Sequence, residues 1–120
     1  MVVIGYDKIL ELIEKEKLIE NVDKNNVQPS GVDLRVKKVY RLKNGGYLGV
    51  NNRQMPNVDI VSDKVGDKIT LNPNEFVLVE TMEKVNMPKN LLALILPRSS
   101  LFRCGVSLHT AVVDPGFIGT

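Results

Sequence analysis

Three short polar stretches of this 120-residue chain carry side chains that could act on a charged substrate. They lie at residues 28–35, 96–103 and 111–119. Between them they supply guanidinium groups, adjacent hydroxyls, two separated carboxylates and two aromatic rings. Guanidinium groups and hydroxyls suit phosphate binding, and a carboxylate near water suits general-base chemistry.

The stretch at residues 96–103 follows an apolar run and reads Leu-Pro-Arg-Ser-Ser-Leu-Phe-Arg. Ser99 or Ser100 could simply cap a short helical turn. The same residues could instead form an anion site. A helix start offers free N–H groups, the hydroxyls add donors, and Arg98 or Arg103 adds charge-assisted bonds to phosphate. Both interpretations stay open on these residues alone.

The other two stretches each contain one carboxylate, in a sequence that also has an ordinary structural explanation. Asp33 and Arg35 alternate with apolar neighbours, so an exposed polar strand face explains both. Asp114 opens an Asp-Pro-Gly turn and could be only a turn former. Phe117 follows it by three residues, and a carboxylate beside an aromatic wall fits a sugar or nucleoside.

The elements that must position these stretches are one helix and many short strands. The pattern predicts a helix that opens at Lys8, with Asp7 as its cap, and ends near Lys17. Alternation from Val32 predicts a strand, with a bulge where Val39 and Tyr40 fall out of register. Further strands are predicted at residues 68–71, 76–81, 91–96, 106–109 and 111–113, with turns at 72–74, 87–90 and 114–116 and a loop at 51–56. Such short strands indicate a mainly β fold, a barrel or a sandwich.

Composition excludes several classes of protein. Cys104 is the single cysteine and His109 the single histidine, so no internal disulfide forms and a Cys/His zinc cage is nearly excluded. The net charge of +2 does not indicate a nucleic-acid partner. No apolar run reaches the roughly 18 residues of a membrane span, and no signal peptide is visible. We therefore expect one cytoplasmic domain over residues 1–120, without nucleic-acid or membrane partners. Residues 117–120 begin what reads as another strand, so we expect a domain truncated at its C-terminal end, with a sheet edge that another subunit covers as the alternative.

In this order the three stretches resemble the motifs of the superfamily of trimeric deoxyuridine triphosphatases and deoxycytidine triphosphate deaminases. Residues 30–34, Ser-Gly-Val-Asp-Leu, are similar to its first motif. Residues 97–101 are similar to its second motif and residues 113–119 to its third. Residues 17–30, after the N-terminal helix, resemble the deaminase branch. The resemblance implies a distorted, jelly-roll-related β-barrel of the dUTPase type with a short N-terminal helix. It also implies a homotrimer with sites between subunits.

The resemblance also implies a role for each candidate residue. Asp114 would lie near the deoxyribose 3′-hydroxyl and activate the attacking water. Phe117 would pack on the deoxyribose and disfavour a ribose 2′-hydroxyl. Asp33 would support the shell of a Mg²⁺ cofactor through water. The residues that match the substrate-binding second motif and its continuation are Arg98, Ser99, Ser100 and Arg103.

The branch of the superfamily decides the reaction. The pattern Arg-Ser-Ser-Leu, with Arg103 five residues after Arg98, resembles that of the deaminases. Archaeal-type triphosphatases carry the same pattern. The segment between Arg98 and Asp114 is shorter than the matching segment of the typical deaminase, because only two residues separate Thr110-Ala111 from Asp114. That shortening favours a dUTP diphosphatase, which converts dUTP to dUMP and pyrophosphate. The alternatives are a dCTP deaminase, which could be bifunctional, and a non-catalytic deoxynucleotide-binding trimer.

Overall fold

The structure, a computed structural model, describes residues 2–120, which group into two compact units. Unit 1 comprises the chain up to Val32 together with Lys84–Gly119. Unit 2 comprises Asp33–Glu83 and Thr120. The expectation of a single domain over residues 1–120 stays a prediction.

Unit 1 begins with helix α1, Tyr6–Glu16, whose apolar side chains recur at helical spacing. Gly5 occupies the N-cap position, with no side-chain cap. Asp7 lies inside the first turn and not at the cap, so the prediction of Asp7 as the cap is wrong. In the first turn the helix dipole stabilises its negative charge. Lys17 ends the helix in a left-handed conformation, as the predicted boundary indicated.

The remaining elements of unit 1 are short. They are β1 (Ile19–Glu20), a 3-10 helix (Lys24–Asn26), β2 (Val27–Gln28), β3 (Gly31–Val32), β9 (Lys84–Asn86), β10 (Ala93–Leu94), helix α2 (Ser99–Arg103), β11 (Val112–Val113) and β12 (Ile118–Gly119). Three antiparallel sheets result, in the orders β1-β9-β12, β10-β11 and β2-β3.

The core of unit 1 joins the helix to the strands that lead into the third motif. Leu12, Leu18 and Met87 are buried against one another. Half-buried Val85 and Val113 pack on this cluster. The helix therefore contributes to the site through the β1-β9-β12 sheet that it covers.

Unit 2 contains β4 (Val36–Leu42), β5 (Tyr47–Leu48), β6 (Arg53–Gln54), β7 (Val58–Ser62) and β8 (Val77–Thr81). β4 lies at the centre of the antiparallel sheet β7-β4-β8, and β5 pairs with β6. The register of β4 against β7 shifts between Val39 and Tyr40, which confirms the predicted bulge.

The mainly β class and the N-terminal helix are confirmed. Strands lie within the predicted segments 76–81, 91–96 and 111–113, although β10 and β11 are only two residues each. The strands predicted at 68–71 and 106–109 are wrong, since neither segment pairs with another. The loop predicted at 51–56 contains β6.

The five sheets hold two or three strands each, and no sheet formed by residues 2–120 closes on itself. None of these five sheets forms a closed barrel by itself. No helix in this part of the chain is long and apolar enough to cross a membrane.

Candidate functional site

The second motif forms the start of helix α2. Arg98 has an extended backbone and occupies the N-cap position, with no side-chain cap hydrogen bond. Ser99 and Ser100 are the first two helical residues, so the interpretation of either serine as the cap is wrong. The leading N–H groups of a helix have no partner inside it. These N–H groups, the two hydroxyls and the Arg98 guanidinium are thus brought to one exposed turn.

Arg103 lies at the other end of the same helix, in its last turn. It is exposed, like Arg98. The five-residue spacing therefore places the two arginine residues at opposite ends of one short helix.

The third motif is a β-turn whose residues each meet a conformational requirement. The Phe117 N–H donates to the Asp114 carbonyl at 3.0 Å. Pro115 occupies the position where φ near −60° is favoured, and Gly116 has φ +84°, which a type II turn requires at its third position. The predicted turn is confirmed, and it holds the Asp114 carboxylate and the Phe117 ring on one four-residue unit.

Backbone hydrogen bonds anchor this turn to the chain beyond β9. The Met87 N–H donates to the Phe117 carbonyl at 2.8 Å, and the Gly116 N–H donates to the Met87 carbonyl at 3.0 Å. β12 then pairs with β9, with Ile118 opposite Asn86. Sequence reasoning missed Met87, which it assigned to a turn, because nothing local indicates a partner thirty residues away.

Asn86 connects the same strand to the end of helix α1. Its side-chain amide donates to the Lys17 carbonyl and to a carboxylate oxygen of Glu20, both at 2.8 Å. The Asn86 amide, with Lys84 as a further cause, holds the pKa of Glu20 below its usual value of 4.5. The helix end, β1 and β9 are therefore tied together behind the third motif.

The register of β10 against β11 sets the relation between the second and third motifs. Ala93 lies opposite Val113 and Leu94 opposite Val112, antiparallel. Continuing this register by one residue places Asp114 level with Leu92, six residues before Arg98. The second motif leaves one end of the strand pair, and Asp114 leaves the other.

The first motif begins in a hairpin, because β2 and β3 pair with Gln28 opposite Gly31. Asp33 follows β3 directly and is half-buried. The exposed strand face expected for Asp33 and Arg35 is wrong, since residues 33–35 lie outside any strand and Arg35 binds a buried carboxylate. Asp33 belongs to unit 2, whereas the other candidate residues belong to unit 1.

The donor set bears on which metal ion these residues fit. Residues 2–120 contain no group of three or more His, Cys, Asp or Glu side chains that could hold a metal ion. Mg²⁺ retains water and binds through few carboxylates together with substrate phosphates, so single carboxylates such as Asp33 fit it.

Comparison with known proteins agrees with the motifs. A model of the dCTP deaminase-like family matches residues 3–120. A probable deoxyuridine 5′-triphosphate nucleotidohydrolase of Archaeoglobus fulgidus is 36% identical, over 99% of this chain and 71% of the relative. One from Methanopyrus kandleri is 37% identical, over 85% of this chain and 66% of the relative. A dUMP-forming dCTP deaminase of Methanobrevibacter smithii is 33% identical, over 99% of this chain and 66% of the relative.

The chain thus spans about two thirds of the length of the curated relatives it matches. The match with the family model covers both units and all three motifs. The match over residues 3–120 shows that the chain belongs to the dCTP deaminase-like family, within the superfamily that its three motifs indicate.

Proposed function

We propose that the complete protein is a dUTP diphosphatase, which hydrolyses dUTP to dUMP and pyrophosphate. The observation that carries this proposal is the type II turn that joins Asp114 to Phe117. It places a carboxylate and an exposed ring three residues apart in one hydrogen-bonded turn, which suits a water molecule and a sugar held side by side. Relatives named deoxyuridine triphosphate nucleotidohydrolase support the same reaction.

In the proposed mechanism a water molecule attacks the α-phosphorus. A new P–O bond forms, the bond to the pyrophosphate oxygen breaks, and Asp114 accepts the proton of the water. General-base assistance of this kind contributes roughly 10²–10⁴-fold. The Phe117 ring packs on the deoxyribose and holds the nucleotide so that the phosphorus faces the water.

The second motif is proposed to bind the phosphates. Exposed N–H groups and hydroxyls at the start of α2 donate to phosphate oxygens, and the Arg98 guanidinium adds charge-assisted bonds. These donors stabilise the charge that develops as pyrophosphate leaves. Arg103 is assigned to substrate binding as well.

Mg²⁺ is the proposed cofactor, and Asp33 would contact it through water. When bound, the ion supplies neutralisation of phosphate charge. This chain's own part is to present single carboxylates, Asp33 among them, to the water shell of the ion.

A homotrimer with sites between subunits is part of the proposal. The chain leaves the β10-β11 pair toward Arg98 at one end and toward Asp114 at the other. This arrangement supports a site in which one copy supplies the phosphate donors and a neighbour supplies the carboxylate. The exposed apolar row on β10 and its continuation supports contact with another copy, since Leu92, Leu94 and Leu96 are 53%, 63% and 75% exposed.

The second candidate reaction is deamination of dCTP, which the dUMP-forming deaminases among the relatives favour. Incubating the complete protein with dUTP and with dCTP separates the reactions. Pyrophosphate from dUTP without ammonia from dCTP is the expected result. Ammonia from dCTP would assign the protein to the deaminases or make it bifunctional, and nucleotide binding without product would indicate a non-catalytic trimer.

A further inference from the structure

We propose that Gly119 is the positioning residue for the Phe117 ring and thereby sets the preference for deoxyribose over ribose. The inference rests on the proposed function, in which Phe117 packs on the sugar. It concerns a residue that touches no substrate atom and acts only through the ring.

The structural basis is the space left by the missing side chain of Gly119. Phe117 immediately precedes β12, and Gly119 is the second residue of that strand. A methyl group added at Gly119 would lie 2.8 Å from Cζ of Phe117, 3.3 Å from Cε1 and 3.5 Å from Cε2. The outer edge of the ring therefore lies over the backbone of Gly119.

Backbone conformation does not explain the glycine. Gly66, Gly105 and Gly116 have positive φ angles, and Gly119 is outside that region. An alanine can adopt its backbone conformation without strain. The close approach of the ring is the feature of Gly119 that a side chain would disturb.

The ring, and not the strand, would move when a side chain is added. Carbon atoms pack best at roughly 3.5–4.0 Å, so a separation of 2.8 Å requires a shift. Gly119 is paired opposite Val85, and the Phe117 carbonyl accepts a hydrogen bond from Met87, so the backbone is held at both residues. The ring is 43% exposed, so it has room to rotate out of its position over Gly119.

A displaced ring changes what the sugar meets. A ring that lies low over Gly119 defines the wall against which C2′ packs, and an added hydroxyl at C2′ would meet that wall. When the ring rotates away, the wall is lost for both sugars and the ribose is no longer disfavoured. Misplacement by about 1 Å can cost about 100-fold in rate, so a change in sugar preference of about 10-fold or more is expected.

The test compares kcat and KM for dUTP and UTP in four variants of the complete protein. Gly119→Ala should raise KM for dUTP and lower the dUTP:UTP ratio of kcat/KM about 10-fold or more. Gly45→Ala is the matched control, because a methyl group there meets nothing within 4 Å and its φ is not positive. It should leave the ratio and Tm unchanged.

Phe117→Leu and the double variant Phe117→Leu/Gly119→Ala complete the cycle. Leucine lacks the ring atoms that the methyl group would contact, so Gly119→Ala should change neither Tm nor the ratio in the leucine background. Equal effects of Gly119→Ala in both backgrounds, or an unchanged ratio in the single variant, would overturn the inference. Should Gly119→Ala alone fail to fold, comparison of the double variant with Phe117→Leu still decides it. A wild-type protein without dUTP hydrolysis would instead remove the proposed function, while the Tm cycle would still test the packing.

Discussion

Glu83 binds Arg35 through both oxygens of its carboxylate. One oxygen accepts from the Arg35 backbone N–H at 2.8 Å and the other from Nε at 2.6 Å. The Glu83 side chain is fully buried, and the Arg35 side chain is 39% exposed. The Met82 N–H also donates to the Arg35 carbonyl, at 2.8 Å. Arg35, in the segment that connects β3 to β4, is therefore fixed to the chain that follows β8.

Replacing Glu83 tests the strength of this attachment. A buried carboxylate is tolerated because it is paired and fully hydrogen-bonded, and Glu83→Gln keeps the shape while removing the charge. The free energy of unfolding should fall by about 1–3 kcal/mol, measured by urea denaturation.

Asp59→Asn provides the control for that loss. Asp59 pairs with Lys43 at 2.9 Å, and the two side chains are 58% and 60% exposed. Exposed ion pairs contribute little, so this variant should change stability by no more than about 0.5 kcal/mol. Equal stability of the two variants would show that the Glu83 attachment does not hold the fold.

The Arg35–Glu83 pair also explains why sequence reasoning failed at the first motif. Alternation of polar and apolar residues predicted a continuous strand with Arg35 on its exposed face. The Arg35 N–H instead donates to a carboxylate 48 residues away, so it takes no part in a strand ladder. A hydrogen bond over that separation leaves no local pattern in the sequence.

Features set by local chemistry were predictable from the sequence. The turn at Asp114 follows from Pro115 and Gly116 at the positions where a type II turn needs them. The Asn-Pro-Asn turn at residues 72–74 was predictable in the same way, because proline is again followed by a residue with positive φ, Asn74 at +65°. Strands need partners as well as alternation, which is why residues 106–109 form none.

The turn at Asn72 provides a prediction about pH. Glu75 closes it, since one carboxylate oxygen accepts from the Asn72 backbone N–H at 2.9 Å and the other pairs with Arg41. The Asn72 hydrogen bond first, and Arg41 next, hold the pKa of Glu75 below its usual value of 4.5. A lowered pKa in the folded state stabilises the fold above the unfolded pKa, and this stabilisation is lost as pH falls through the folded value.

Glu75→Gln should therefore have a lower Tm than the wild type at neutral pH. The difference between the two Tm values should shrink as pH falls below 4.5, because the wild-type carboxylate becomes protonated. Thermal unfolding followed by circular dichroism over the acid range measures this difference. A constant gap across that range would contradict the assignment.

Asp114→Asn tests the proposed general base. The amide cannot accept the proton of the attacking water, so kcat for dUTP should fall by about 100-fold or more. The Kd for dUTP, measured by isothermal titration calorimetry, should change little, because the turn and the ring stay in place. Asp59→Asn makes the same chemical change at an exposed residue outside the proposed site and should leave kcat unaltered. Unchanged turnover in Asp114→Asn would remove Asp114 from this role.

Arg98 and Asp114 leave opposite ends of the β10-β11 pair, so a shared site predicts that two inactive variants restore each other. Arg98→Ala and Asp114→Asn should each be nearly inactive alone. When they are unfolded, mixed in equal amounts and refolded together, a site is complete where an Asp114→Asn copy supplies Arg98 and an Arg98→Ala copy supplies Asp114. Random assembly makes this pairing in about one quarter of sites, so about a quarter of the wild-type dUTP hydrolysis should return. A site built within one copy would contain a substitution in every chain, and the mixture would then stay as inactive as its components.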